Sequence, residues 1–421
     1  MPRKFRFFVP IFLGTLTLVL SGFIASTAVK DKGLATAYLV ASKLTDPLCQ
    51  AHQFYRQILL VDTLYPSSSL LERMLRKGVL LLGSVSNGLF SLCTTFPAIE
   101  LRLCALAVQE KPFLYFRGDA EEENRWDPSL SLLSWNLCCV SGGYSITDGG
   151  VLPWRYRIFP VVEALRAQNA DILCLYEIFD IQTALALFEE LKGDYRHFYL
   201  HIGPNAIGLS SGLFVASKVS ISEPEFIPFP KESFDGRAKH CKKGFFSFEL
   251  KKGQEPCVRV YATHLQHSEQ PEHPTQGELR AREQAMEHIL THMQNFHGQA
   301  CVLTGDLNLE EEELHASRWG HFFDHGLIEG CGCTWGGDAF CSNLTGKPIS
   351  PPLNLDHTLV TRSSGASLKT YYVETGFNGE TFNPEALSDH KGLLSILIFG
   401  EALSLQSNKN EESNWNKEVG P

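Results

Sequence analysis

Ala300-Cys301-Val302-Leu303-Thr304-Gly305-Asp306-Leu307-Asn308 is an apolar run that closes on an acid and an amide. Ala300 to Thr304 reads as a short buried strand. Asp306 and Asn308 flank Leu307, so strand alternation predicts both side chains on one face. Gly305 between strand and acid lets the backbone approach a neighbour closely. An acid and an amide side by side can orient a water, a phosphate oxygen or a metal ion.

The same arrangement recurs along the chain. Asn136 ends the apolar run Leu130–Leu137, Glu177 follows Asp171–Tyr176, and His264 follows Val258–Thr263. Asp356 comes next, and the last member is Asp389-His390 within Leu387-Ser388-Asp389-His390. Polar residues at the ends of strand-like segments suit a site along the rim of a sheet, where rigid strands aim short side chains into one cleft. Ser211–Ser217 and Phe245–Leu250 read as further strands. Pro160–Gln168, Ile181–Lys192 after the N-cap Asp180, and Gly277–Phe296 read as helices. Strands alternating with helices predict an α/β domain.

Phosphoester hydrolysis needs a cation to draw charge off phosphate, a base to activate water, and donors where negative charge grows. Glu177 is the expected hard oxygen ligand for Mg2+, with Mn2+ as second choice, and Asp389 is expected beside it. Asn136 is expected at the metal as well, holding Glu177 or the metal-bound oxygens. His390 is the expected general base, and Asp356 the acceptor that fixes its tautomer. Asp306 and Asn308 complete the set, with His264 stabilising the charged phosphorane or the leaving oxygen.

The 421 residues carry a formal net charge of -10 without a visible Lys/Arg cluster, which argues against a nucleic-acid partner. Two long uncharged stretches, Phe7–Val29 and Val79–Ile99, mark residues 1–117 as membrane-associated. The first is read as an anchor in preference to a secretory signal because of its length. The second contains Gly83, Gly88 and Pro97, so a re-entrant or interfacial hairpin is as good a reading as a simple span. Arg3, Lys4 and Arg6, and later Arg73, Arg76 and Lys77, suit anionic lipid. Residues 118–129 are the expected linker, 130–400 the catalytic domain and 401–421 a disordered tail. The twelve cysteines include no C-x-x-C pair, which argues against zinc. Their apolar settings favour free thiols in a reducing compartment, although Asn343-Leu344-Thr345 would accept a glycan outside it. No protein partner can be deduced.

Taken in order, these residues resemble the endonuclease/exonuclease/phosphatase superfamily. Within it, Ala262-Thr263-His264-Leu265-Gln266, Lys243-Gly244-Phe245 and Ile172–Asp180 resemble membrane-associated neutral sphingomyelinases, as do the two hydrophobic segments followed by Lys111-Pro112-Phe113-Leu114-Tyr115. The resemblance implies two packed mixed β-sheets flanked by helices, a four-layer sandwich. It also implies a Mg2+-dependent phospholipase C that cuts sphingomyelin into ceramide and phosphocholine at a membrane surface. Lys243 matches a lysine that such enzymes pair with an upstream aspartate, but Ala238 stands at the aspartate's position. Tyr176 stands where glutamine usually precedes the metal glutamate, and His357 where tyrosine is common. The alternatives are an endonuclease or a phosphoinositide phosphatase on the same scaffold, the latter hinted at only by Lys239, Lys242 and Lys243, or a non-catalytic membrane protein that keeps the fold as a binding platform.

Overall fold

The computed structural model describes residues 27–399 apart from 123–128, 141–150, 232–233, 253–254, 269, 271–272, 299, 318, 331, 337–351, 363–365 and 375–385. The first apolar stretch up to residue 26, part of the expected linker, the Asn343 sequon and the 401–421 tail lie outside the described residues.

The chain enters through two long helices, α1 (Thr27–Leu64) and α2 (Leu70–Val108). The side chain of Ser69 accepts from the Glu72 amide and caps α2 at its start. Helix α2 then runs unbroken through Gly83, Gly88 and Pro97, where the sequence left a break open. The glycines instead let α1 come close: a Cβ at Gly83 would meet Phe54 at 3.0 Å, and one at Gly88 would meet Ala51 at 4.0 Å. Leu71, Leu75, Val79, Leu82, Phe90 and Phe96 stay exposed on the face turned away from α1. By length and composition α2 is apolar enough to cross a membrane.

Two mixed sheets follow. One has eight strands in the order β1-β4-β5-β3-β2-β14-β13-β11, and the other six in the order β10-β12-β9-β8-β7-β6. The first joins β1 (Leu114–Arg117), β2 (Ser129–Asn136), β3 (Ile172–Tyr176), β4 (His197–Leu200), β5 (Phe214–Ser217), β11 (Leu327–Glu329), β13 (Ala366–Val373) and β14 (Gly392–Phe399). The second joins β6 (Ser222–Pro228), β7 (Gly244–Lys252), β8 (Glu255–His264), β9 (Ala300–Asp306), β10 (Phe323–Asp324) and β12 (Asp356–Thr361). The sheet therefore begins at Leu114, upstream of the expected domain start at 130. The amides of Gly118 and Asp119 in the expected linker donate to Arg196 and Lys192 carbonyls and tie it to the body.

Strand alternation sorts the side chains into layers. Leu132, Ile172, Cys174 and Val215 face Phe246, Phe248 and Val260 between the sheets. On the outer face of the first sheet, Leu133 and Leu175 pack beneath α3 (Trp154–Gln168) and α4 (Ile181–Leu191), which contribute Val161, Leu165 and Leu187. On the outer face of the second, Tyr261 and Leu303 pack beneath Met286 and Ile289 of α5 (Gln276–Met293). Each such aliphatic burial contributes roughly 1.5–3 kcal/mol, so reversing a strand's faces would forfeit several at once. The result is a helix–sheet–sheet–helix sandwich. Helix α3 starts at Trp154, before the expected Pro160, because Pro160 lies on its exposed side.

Gly305 marks the tightest contact in this frame, since a Cβ there would lie 1.9 Å from the Thr263 carbonyl oxygen on the parallel neighbour β8. Gly305→Ala should lower unfolding free energy by about 1–3 kcal/mol or more in urea titrations. Gly193→Ala, with no atom within 4 Å of the added carbon, should stay within about 0.5 kcal/mol.

Candidate active site

Register fixes which polar groups meet. Strands β2 and β3 are parallel with Asn136 beside Tyr176, so Asn136 at the end of β2 and Glu177 just after β3 leave the eight-stranded sheet at one rim. In the six-stranded sheet His264 pairs with Asp306, and Asp306 pairs with Asp356. That gives a row of three polar residues across neighbouring strands. His390 precedes β14, which pairs with β2. The two rims face one another and bring the groups into one buried cluster.

His390 Nδ1 is 2.7 Å from Asp356 Oδ2, with both side chains almost wholly buried. His390 Nε2 points at the other groups, 3.8 Å from Asp306 Oδ2 and 3.4 Å from the Asn136 amide nitrogen. Asn136 Nδ2 donates to Asp306 Oδ2 at 2.9 Å, while its carbonyl oxygen accepts from the Cys138 amide. Asn136 thus turns its NH2 toward the cluster and braces the Asp306 carboxylate, with Glu177, which it was expected to hold, as a second side-chain neighbour. His264 Nε2 is 3.5 Å from the same Asp306 oxygen. Asn308 bonds Asp306 Oδ1 through both its backbone amide and its side chain. This pairing arises from a turn with Asn308 at φ 51, whereas alternation along a strand had been expected. Glu177 also adopts a left-handed conformation, φ 63. Such backbone costs roughly 1–3 kcal/mol at a non-glycine residue and persists where the surroundings enforce it. Here the Ile178 amide donates to the Gly212 carbonyl at 2.9 Å.

The electrostatics follow from crowding acids out of water. Burial first, then the Asp389 carboxylate, pushes Glu177 up to about 7. Burial likewise raises Asp356 to about 6, against the pull of His390. For His390 burial favours the neutral ring, but the Asp356 and Asp389 carboxylates outweigh it and hold the imidazole well above its usual range. His264 moves the opposite way, kept neutral by burial and by the Lys243 ammonium. One ligand atom each from Asp306, Asp356 and His390 lies within 4.8 Å of the others. Asp356 Oδ1 and His264 Nδ1 are buried without a hydrogen-bond partner among the described residues. Clustered carboxylates raised first by burial and further by one another, with spare acceptor capacity, fit a hard divalent cation.

Several supporting residues carry no sequence signal. The Trp135 indole donates to the His390 carbonyl at 2.8 Å, and the Ser388 hydroxyl donates to the Asn136 carbonyl at 2.5 Å while accepting from the His390 amide. The Thr334 hydroxyl accepts from the amides of Leu355 and Asp356. Arg157 of α3 is fully buried and donates to the carbonyls of Leu137, Cys138 and Leu387, clamping the chain after β2 to the chain before His390. Trp335 and Leu353 exchange backbone hydrogen bonds, and Trp335 also bridges to His390. Lys243 does not reach the acids: its buried ammonium donates to the Leu265 carbonyl at 2.6 Å and holds the end of β8. Asp235 instead faces Lys239 at 3.6 Å. Cys49, Cys93, Cys104, Cys138, Cys139, Cys174, Cys241 and Cys301 are in no disulfide.

The model of the Endonuclease/Exonuclease/phosphatase family matches residues 133–390. Sphingomyelin phosphodiesterase 3 of Rattus norvegicus is 32% identical over 103 residues, 23% of this chain and 15% of that protein. Sphingomyelin phosphodiesterase 5 of Danio rerio is 32% identical over 121 residues, 25% of this chain and 22% of that protein. The matches therefore span less than a quarter of these relatives' length. Sphingomyelinase C from Streptomyces griseocarneus is similar in structure, with a TM-score of 0.51 and 20% identity over 64% of this chain and 99% of that chain. Beta toxin from Staphylococcus aureus gives a TM-score of 0.50 and 19% identity over 63% and 99%. At these identities the structural likeness is one of fold.

Arg157→Leu should cost about 3 kcal/mol, because it strips a charged donor from several buried carbonyls at once. Urea unfolding of the variant against Arg157→Lys, which keeps a donor and should lose less, measures it.

Proposed function

Since the chain belongs to the Endonuclease/Exonuclease/phosphatase family, we propose that it is a metal-dependent phosphodiesterase of the phospholipase C type. It hydrolyses sphingomyelin to ceramide and phosphocholine at a membrane surface. The observation that carries the reading is the buried His390–Asp356 pair, 2.7 Å apart, opening onto Asp306, Asn136 and His264. That is the layout of an oriented base beside a cation-binding acid cluster.

His390 is the general base. Asp356 accepts from Nδ1, which leaves Nε2 as the atom that takes the proton of the attacking water. Asp306, held by Asn136 and Asn308, orients that water. His264, kept neutral, donates toward the oxygen where charge grows. Glu177 and Asp389 would hold Mg2+, or Mn2+ in its place, and Asn136 keeps the neighbouring carboxylate in position. When bound, such a cation would draw charge off a phosphate oxygen.

The sphingomyelin assignment draws on the two sphingomyelin phosphodiesterases among its relatives and on the exposed apolar face of α2. A lipid headgroup lies in the plane where such a helix would rest. A nuclease is disfavoured by the net charge of -10. A phosphoinositide phosphatase needs a basic pocket, yet Lys243 is buried on backbone carbonyls and Lys239 faces Asp235.

Vesicles of sphingomyelin with added Mg2+ should release phosphocholine, and His390→Ala should lower the rate about 10²–10⁴-fold. Robust turnover in a chelator, or plasmid nicking far faster than lipid cleavage, would overturn the reading. In pH–rate profiles Asp356→Asn should reduce the plateau by about 10²–10⁴. It should also move the acid limb to lower pH, because removing the carboxylate that stabilises imidazolium lowers the pH at which His390 loses its proton.

A further inference from the structure

Strand β12 carries a second feature on its other face. Asp356 turns toward His390, and the pleat sends His357 the opposite way. There its Nε2 meets the Leu309 carbonyl at 2.7 Å, and its ring lies 5.5 Å from that of His325. His325 follows β10, and its ring lies 5.0 Å from that of His315. His315 sits one turn beyond Glu311 on the short helix α6 (Glu311–Ala316), so the two share a face. Their Nε2 and Oε1 atoms are 3.5 Å apart. One ligand atom each from Glu311, His315 and His325 lies within 4.8 Å of the others.

Two ligands at about 2.0–2.1 Å from a tetrahedral ion stand roughly 3.4 Å apart. Glu311 and His315 already have that spacing, and His325 needs only a small approach. An ordinary surface ion pair would account for Glu311 and His315. Ring packing brings His325 beside His315 and His357, but neither contact requires a ring nitrogen to come within 4.8 Å of both the Glu311 carboxylate and a His315 nitrogen. The donor types also differ from those around His390, where carboxylates dominate. Two imidazoles and one carboxylate suit a borderline transition ion, whereas Mg2+ favours oxygen ligands and water.

We propose that Glu311, His315 and His325 form a second cation site that takes an ion of the Zn2+ class in preference to Mg2+. It ties α6 to the turn between β10 and β11. Helix α6 follows Asp306-Leu307-Asn308 closely, so the bound ion braces that loop. None of its three ligands belongs to the His390 cluster, and the proposal stands whatever substrate the cleft takes.

Co2+ serves as a spectroscopic stand-in for Zn2+, titrated into the full chain in excess Mg2+. One equivalent should bind with visible d–d absorption, and His390→Ala should leave that absorption in place. His315→Ala, His325→Ala and Glu311→Gln should each weaken binding at least about 10-fold, since even outer-shell losses cost 10–100-fold. Glu311 and His315 are half-exposed, so their variants should keep the metal-free melting temperature and remain informative if His325→Ala fails to fold. Cobalt affinity unchanged in His315→Ala and Glu311→Gln, or binding abolished by His390→Ala alone, would overturn the proposal.

Discussion

One hydrogen bond joins the two halves of the sandwich at their working end. Asp356 belongs to the six-stranded sheet, and His390 leads into the eight-stranded one. Their 2.7 Å contact forms only if the sheets are stacked in correct alignment. An unpaired carboxylate in that dry interface would cost several kcal/mol, so the polar pair constrains how the apolar faces may slide. Trp135, Ser388 and Arg157 fix the His390 end of that contact to β2, and the Asn136 amide adds a second bond across, to Asp306. The site is therefore also the clasp between the sheets.

The helical pair at the N-terminal end is joined to this body by polar contacts. The Ser42 hydroxyl donates to Asp180, the Gln182 amide donates to Ser42 and Asp46, and Arg102 donates to the Ile207 carbonyl. Asp180 caps α4 and lies just past Glu177. The hairpin is thus built against the segment that carries one of the acids, and a purely apolar tether would need none of these bonds. Its other face, rich in exposed leucine and phenylalanine, has no counterpart in the body.

Much of the fold was legible because its strands are short apolar runs punctuated by polar residues. The runs ending at Asn136, Glu177, His264 and Asp306 are the strands whose ends converge. The two-sheet architecture came from the resemblance, since alternation alone cannot tell one sheet from two. Asn136 was expected to hold Glu177 or the metal-bound oxygens; that its NH2 also braces Asp306 on the other sheet follows from the nearby Cys138 amide and is invisible in sequence. Asp306 and Asn308 do meet, but through a left-handed turn that pattern reading does not resolve. Arg157 and Thr334 went unnoticed because they serve backbone carbonyls and amides, and such service leaves no spacing rule. Glycine and proline in the second apolar stretch suggested a break, but packing against Phe54 and Ala51 on α1 overrides local propensity there.

Trp335 binds Leu353 through the backbone and bridges to His390 as well, while the Trp135 indole donates to the His390 carbonyl. The chain path at the base is thus fixed from two directions. On the Trp335 flank the restraint is carried by main-chain groups, which every residue type except proline supplies in full. The side chain at 335 is therefore free to vary, whereas a shift of the chain there would be felt at the imidazole.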